Sequence, residues 1–210
     1  MRKQNYILYI ISFLIFFSIN SGAQNTKAKT FFKLPRPEKC WVIFHPFKAK
    51  RAFDISNEAK HLADSVKNTN LLDGDANGGQ VDAFRHSYWM AILVKEIGVN
   101  AAEKLGKAHE KGNYICYKKN KFEDGVIPDS VSSVMDLYNN EIGIKIYKNN
   151  FNKSNKEIMQ VVVTYIKDGK MLVIIKNKKG KFLDCEGNII LQEELIGKWQ
   201  NNKCLDSSKI

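Results

Sequence analysis

Between Gln80 and Ile97 the apolar residues recur every three or four positions. Val81, Phe84, Tyr88 and Ile92 lie along one side, and Asp82, Arg85, His86 and Trp89 line another. That period predicts a helix, closed by Gly98, a residue type favoured just past a helix end. Upstream, Ala59, Leu62, Ala63 and Val66 predict a helix over Ser56–Val66, capped by Ser56, with His61 off the stripe and exposed. Downstream, Leu105 and Ala108 mark a helix from about Ala101 to Lys111, ended by Gly112-Asn113, with His109 at the edge of its inner face. A further helix runs from Val131 to about Asn149, opened by Asp129 or Ser130. Its apolar stripe is Val131, Val134, Met135, Tyr138 and Ile142; beside it Asp136, Asn139, Asn140 and Gly143 form a polar, small-residue face.

The segments between these helices are less periodic. Gln24 to Glu38 is polar and broken by Pro35 and Pro37, which predicts an extended lead-in. Trp41 to Phe44, followed by His45-Pro46, predicts a short extended packing segment with a structural His45. Asp73-Gly74-Asp75-Ala76-Asn77-Gly78 begins like a calcium loop, but the twelfth position, which needs a bidentate acid, is Phe84. The cluster reads as a tight loop capping the next helix, or else as a looser calcium site completed by Asp82. Tyr114 to Val126 is lysine-rich and precedes Pro128, which predicts an irregular connection, either a lid or a surface excursion.

Beyond Asn155 the composition changes. Val161 to Ile166 has strand character, Asp168-Gly169 signals a hairpin turn, and Met171 to Ile175 answers as a return strand. Phe182-Leu183 and Ile189 to Leu191 are further short runs between turns. The expected organisation is therefore α+β: a mainly helical domain over residues 24–155 carries the polar cluster, a small antiparallel β-meander follows over 156–199, and 200–210 is a flexible tail.

The first residues bear on location. Arg2 and Lys3 precede an apolar run from Tyr6 to Ile19, and Ser21-Gly22-Ala23 supplies small residues before Gln24. This is the pattern of a secretory signal cleaved after Ala23, which predicts a periplasmic or extracellular protein. The alternative is an uncleaved anchor, although the run is short for a membrane span of roughly 17–25 residues. The formal charge is +11, a balance that suits anionic lipid or an anionic envelope polymer. The lysines cluster mainly in 118–121 and 176–181 and form no recognised nucleic-acid motif, so a specific nucleic-acid partner is not expected. The four cysteines, Cys40, Cys116, Cys185 and Cys204, make no C-x-x-C pair, and the sequence leaves their pairing open. It also leaves the oligomeric state open.

The chemistry concentrates in three stretches. Asp82 lies one helical turn before His86 and can orient its ring and raise its basicity. His109-Glu110 and Asp136 with Asn139-Asn140 carry comparable groups. If the three helices turn these faces together, two roles follow. His86, His109, Glu110 and Asp136, with Asp82, could ligate a divalent metal that lowers the pKa of bound water. Histidines with carboxylates suit zinc, manganese or iron. His109 and Glu110 are adjacent and point about 100° apart on a helix, so at most one of them would be a direct ligand. Without a metal, His86 is the general base, oriented by Asp82 or Asp136, and Arg85 holds an anionic group of the substrate. Trp89, Asn139 and Asn140 are then supporting residues. The competing expectation is that Asp, Arg, His and Asn form a closed hydrogen-bond network that only fixes helix packing.

The set Asp82-Ala83-Phe84-Arg85-His86-x-x-Trp89, then His109-Glu110, then Met135-Asp136-Leu137-x-Asn139-Asn140 with Gly143 resembles an uncharacterised bacterial domain family found in secreted and toxin-associated proteins. The resemblance spans roughly Asn77 to Ile146 and implies a helical domain without an established activity. Arg85-His86 in an aromatic-rich helix is also locally similar to the Arg-His-Asp helix of small secreted prokaryotic phospholipases A2, which implies calcium. The residue after the histidine here is Ser87, where those enzymes carry a calcium-binding aspartate. Two functions are thus expected: an exported hydrolase acting on an anionic or envelope-derived substrate, with zinc, manganese or calcium as its metal, or a non-enzymatic binding protein whose cluster is scaffold.

Overall fold

A computed structural model describes residues 30–121 and 127–209. The segment expected to be a signal, 1–23, and the centre of the lysine-rich connection, 122–126, lie outside the described residues. Pro35–Ile210 packs as one unit; Met1–Leu34 is a separate one, in which residues 30–33 form a helical turn.

The segment expected to be extended is helix α1 (Arg36–Phe44). Pro35 is its cap and Pro37 sits in its first turn, where the missing N–H has no intrahelical partner to lose. Only His45 separates it from α2 (Pro46–Lys67). Ala52, Ile55, Ala59, Ala63 and Val66 form the buried stripe of α2. Ser56 is therefore internal to this helix instead of capping it. Its hydroxyl donates to Ala52 O at 2.9 Å and accepts from Trp89 Nε1 at 2.9 Å.

Helix α3 (Gln80–Ile97) has the expected bounds and is buried on nearly every side. It is wrapped by α2, α4 (Val99–Lys118), α5 (Ser130–Asn149) and α6 (Asn155–Lys167), and its broadest contact is with α5. Gly98, at φ 83°, turns the chain from α3 straight into α4. α4 does not stop at Gly112 but runs on to Lys118. A side chain at Gly112 would press on Pro35, at 3.0 Å, so this glycine serves close approach and not termination.

The inner face of α5 is rotated from expectation: Met135 and Ile142 of the predicted stripe are buried, but Val134 and Tyr138 are not. Asp136, Asn139, Asn140 and Gly143 are buried with them, as is Ile146. The small residues let α5 approach α3, and the polar ones face the interior of the molecule. Val161 to Ile166 is likewise helix, not strand. Ser154 and Glu157 form a capping box that opens α6, and Ile158, Val162, Val163 and Ile166 are buried at helical spacing. Asp168 caps the helix end and Gly169, at φ 74°, reverses the chain.

The sheet is small and antiparallel, and the fold is mainly helical α+β. Strand β1 (Leu172–Ile174) pairs with β2 (Leu205–Ser207), which follows the short helix α7 (Gln192–Leu195). Val173 stands opposite Asp206. Phe182-Leu183 and Ile189 contribute only single bridges, to Lys176 and to each other. The residues expected to fray instead form a clasp. Ser208 O accepts from Gln80 Nε2 at the start of α3, at 2.8 Å, and Ser208 Oγ donates to Ile166 O at the end of α6, at 2.7 Å. Trp199 O accepts from Ser130 N at the start of α5, at 2.8 Å, and Lys203 forms a buried ion pair with Asp129, the α5 cap.

Cys185 and Cys204 form a disulfide, with Cα atoms 4.8 Å apart, and Cys40 is an exposed thiol. The bridge closes a loop with a sequence separation of 19 residues. Replacing Cys204 by serine is expected to cost about 3 kcal/mol through the freedom returned to the unfolded chain. Urea unfolding of Cys204→Ser against the oxidised parent measures it; equal midpoints would refute the estimate.

Candidate functional site

The loop before α3 sets up the site. Asp73 Oδ1 accepts from Asp75 N at 2.8 Å, and Asp75 Oδ1 accepts from Asn77 N at 3.0 Å. Asp73 Oδ2 accepts from Gln80 N at 2.7 Å, and Lys176 pairs with Asp75. These carboxylates are engaged in folding the loop and holding the first turn of α3, as expected of a capping loop. Asp82 also bonds this loop: its Oδ2 accepts from Gly78 N at 2.7 Å, and its Oδ1 accepts from Arg85 Nη2 at 2.6 Å, so both oxygens are engaged.

From α3, Asp82, Arg85 and His86 project into an open cleft of about 490 Å³, mouth included. α4 contributes His109 and Asn113, α5 contributes Ser132, Ser133 and Asp136, and Asn77 and Pro128 complete the rim. His86 Nε2 is the point of convergence. It lies 3.4 Å from Asp136 Oδ1, 3.6 Å from Asp82 Oδ1 and 3.1 Å from Arg85 Nη2. The guanidinium can only donate, so Nε2 presents its lone pair there. Two carboxylate oxygens and the imidazole Nε2 thus lie together, with all three atoms within 4.8 Å of one another. Arg85 supplies one positive charge beside them, through Asp82 Oδ1 and His86 Nε2, and leaves Asp136 Oδ1 facing the group with no hydrogen bond among the described residues. Among the described residues, Asp82, His86 and Asp136 are the group of histidines and acids with this spacing.

The electrostatics agree. Asp136 is buried, its Oδ1 accepts no hydrogen bond among the described residues, and its carboxyl titrates well above the usual aspartate range. Burial is the main cause, followed by the nearby Asp82 and Glu110; Arg85 and His109 pull the other way. Glu110 is also raised by burial, against His109, Ser133, Asn113 and Arg85. The site gathers more acids than it can comfortably keep ionised.

The other expected residues occupy different places. His109 lines the cleft, but its Nδ1 is held at 2.9 Å by Glu38 Oε1, and Glu110 Oε2 accepts from Asn113 Nδ2 at 3.2 Å. Neither belongs to the converging group; Asp82 completes it. Trp89 stands behind the imidazoles, its ring 5.8 Å from His109 and its Nε1 bonded to Ser56. Asn139 leaves the site altogether. It exchanges hydrogen bonds with the backbone of Leu172, at 2.9 and 3.0 Å, and so pins β1 to α5. Asn140 is buried below Gly106, away from the cleft. Glu38, Asn113 and Ser133 are additions. Glu38 hid in a segment whose prolines suggested extended chain, and the other two lacked any distinctive neighbour.

No curated protein and no solved structure matches the chain. The matched family region covers residues 39–170, which takes in Asp82, Arg85, His86, His109 and Asp136 but neither strand nor the clasp. By that match the chain belongs to DUF6973, a family of domains of unknown function.

Proposed function

We propose that the protein is a metal-assisted hydrolase acting on an anionic, envelope-derived substrate. The observation that carries this reading is the buried Asp136 carboxylate, whose Oδ1 accepts no hydrogen bond among the described residues and converges with His86 Nε2 and Asp82 Oδ1 at a partly open cleft. A divalent cation held by these three groups relieves their mutual repulsion and supplies water of lowered pKa. The one-nitrogen, two-oxygen set suits zinc or manganese, with calcium as the harder alternative. Arg85, a quarter exposed at the cleft wall and fixed by Asp82, meets an anionic group of the substrate or the charge that develops on it. His109, anchored by Glu38, stands beside the centre as a proton carrier.

The reading places the protein outside the cytoplasm. The signal pattern of residues 1–23 supports this, and the Cys185–Cys204 disulfide fits an oxidising compartment. No described helix is long and apolar enough to cross a membrane.

A second reading rests on a specific observation: both Asp82 oxygens are already used by Gly78 and Arg85, which suits a packing network. Metal titration separates the two. With Zn²⁺, Mn²⁺ or Ca²⁺ at a hundredfold excess over Kd, the melting temperature should rise by roughly 5–10 °C. Elemental analysis should find one ion per chain, and His86→Ala should abolish both signals together with hydrolysis of ester or phosphodiester probes. If no metal binds but His86→Ala still removes hydrolysis, His86 is a general base acting alone. If neither binding nor hydrolysis occurs, the cluster is scaffold.

A further inference from the structure

Where α1 meets α2, three large apolar side chains face water: Ile43, Phe44 and Phe47 are 62%, 79% and 98% exposed. Pro46 between them is exposed as well. Exposed apolar groups scattered singly are ordinary, but a contiguous cluster marks an interaction site. This cluster is also presented stiffly. Trp41, buried just behind it, donates from Nε1 to Ala101 O at 3.0 Å, and the His45 ring stacks on Trp41 at 4.7 Å. Lys48 Nζ donates to Ile97 O at 2.7 Å and Arg51 pairs with Glu96 at 3.0 Å, so the α2 flank is tied to the end of α3.

The corner is basic along the sequence, with Glu96 paired to Arg51 beside it. Between Lys39 and Phe53 there are four basic residues, Lys39, Lys48, Lys50 and Arg51, and no acidic one. On α1 the exposed stripe is Arg36, Cys40, Ile43 and Phe44, at helical spacing. The opposite face of the same helix holds Trp41 and sends Glu38 to His109. An aromatic tip bordered by cations matches the boundary between the headgroups and acyl chains of an anionic bilayer: the rings enter the apolar layer while Lys39 and Lys50 meet phosphate. A protein interface would more commonly surround such a tip with few lysines.

We propose that the Ile43–Phe44–Phe47 corner docks the protein on the surface of an anionic phospholipid bilayer. This stands independently of the chemistry assigned to the cleft. It gives the chain's excess of positive charge a defined place of action, and it brings α1, with Glu38 on its inner side, against the membrane.

The test uses the purified full chain and vesicles of phosphatidylglycerol mixed with phosphatidylcholine, compared with phosphatidylcholine alone. Flotation should show binding to the anionic vesicles that weakens as salt is raised. Phe44→Ser together with Phe47→Ser should weaken it at least tenfold while leaving the melting temperature unchanged, because both side chains are exposed. Phe47→Trp should show quenching by acyl-brominated lipid beyond that of the parent, a readout that membrane contact made elsewhere in the chain does not produce. Binding that ignores the double substitution, or a Phe47→Trp probe that stays unquenched, overturns the proposal. A solution dimer dispersed by the double substitution, without vesicle binding, assigns the corner to a second copy of the chain and also overturns it.

Discussion

Gly143→Ala should destabilise the protein by roughly 3 kcal/mol or more, at the upper end of what one added methyl group does in a packed interior. A Cβ at this position would lie 2.3 Å from Ser87 O, 3.0 Å from Met90 Cβ and 3.1 Å from the Ser87 carbonyl carbon. These are backbone or first side-chain atoms, so no rotamer change relieves the clash, and α3 and α5 must move apart. Asp136 rides two turns earlier on α5 and His86 is next to Ser87 on α3, so the same displacement opens the 3.4 Å approach between them. Metal affinity should fall along with stability. Gly106→Ala is the control. There the new methyl meets the flexible end of Met90 at 2.7 Å, and the cost should be about 1 kcal/mol. Urea unfolding followed by circular dichroism ranks the two, and a Gly143→Ala protein as stable as Gly106→Ala would refute the close-packed α3–α5 contact.

Asp136→Asn should have the opposite effect on the metal-free fold, stabilising it at neutral pH. The carboxyl titrates well above its ordinary 3.8 because it is buried and stands near Asp82 and Glu110. In the range between 3.8 and that raised value, the folded state binds more protons than the unfolded one. Stability therefore falls as pH rises through this range, and the full penalty for ionising the buried group is reached only above the raised value. Asparagine keeps the shape and never ionises, so its advantage should grow as pH rises from about 4 to 7 and should vanish below about pH 4. The same change removes one of three ligands and should weaken metal binding on the order of a hundredfold or more. Melting curves at both pH values, with and without metal, check the two halves separately. A variant less stable than the parent at every pH would mean that Asp136 is a satisfied structural group. The pairing of gained stability with lost binding is what a functional site built at the expense of the fold should show.

The helical register of the site was legible in the sequence because it depends only on local spacing. Asp82, Arg85 and His86 share a face at three- and four-residue intervals, and Gly98 marks the end of their helix. Asp136 could be paired with them because it recurs in the third periodic helix. What escaped was decided by tertiary contacts. The β-branched run Val161–Val163 favours strand locally, yet its burial against α3 and the Ser154–Glu157 cap make it helix. The prolines flanking Arg36 suggested extended chain, although both fit a helix start, and that hid Glu38. In α5 the apolar stripe alone misplaces the inner face, because Asp136 serves the site, Asn139 pins β1, and Gly143 permits the contact with α3. The partner of Cys185 lies beyond any local signal, since Cys204 reaches it only by the path that forms β2.

The clasp has a consequence for timing. The first turn of α3 leans on Ser208, 128 positions later, and the first turn of α5 leans on Trp199. Contacts so distant along the chain close late, because loop entropy must be overcome before they contribute. A nascent polypeptide can thus build most of its helices while the acidic pocket is still loosely assembled, and the finished geometry of that pocket waits on residues near position 200. Pulse-labelled chains halted short of Trp199 should collapse into helix yet fail to retain the cation.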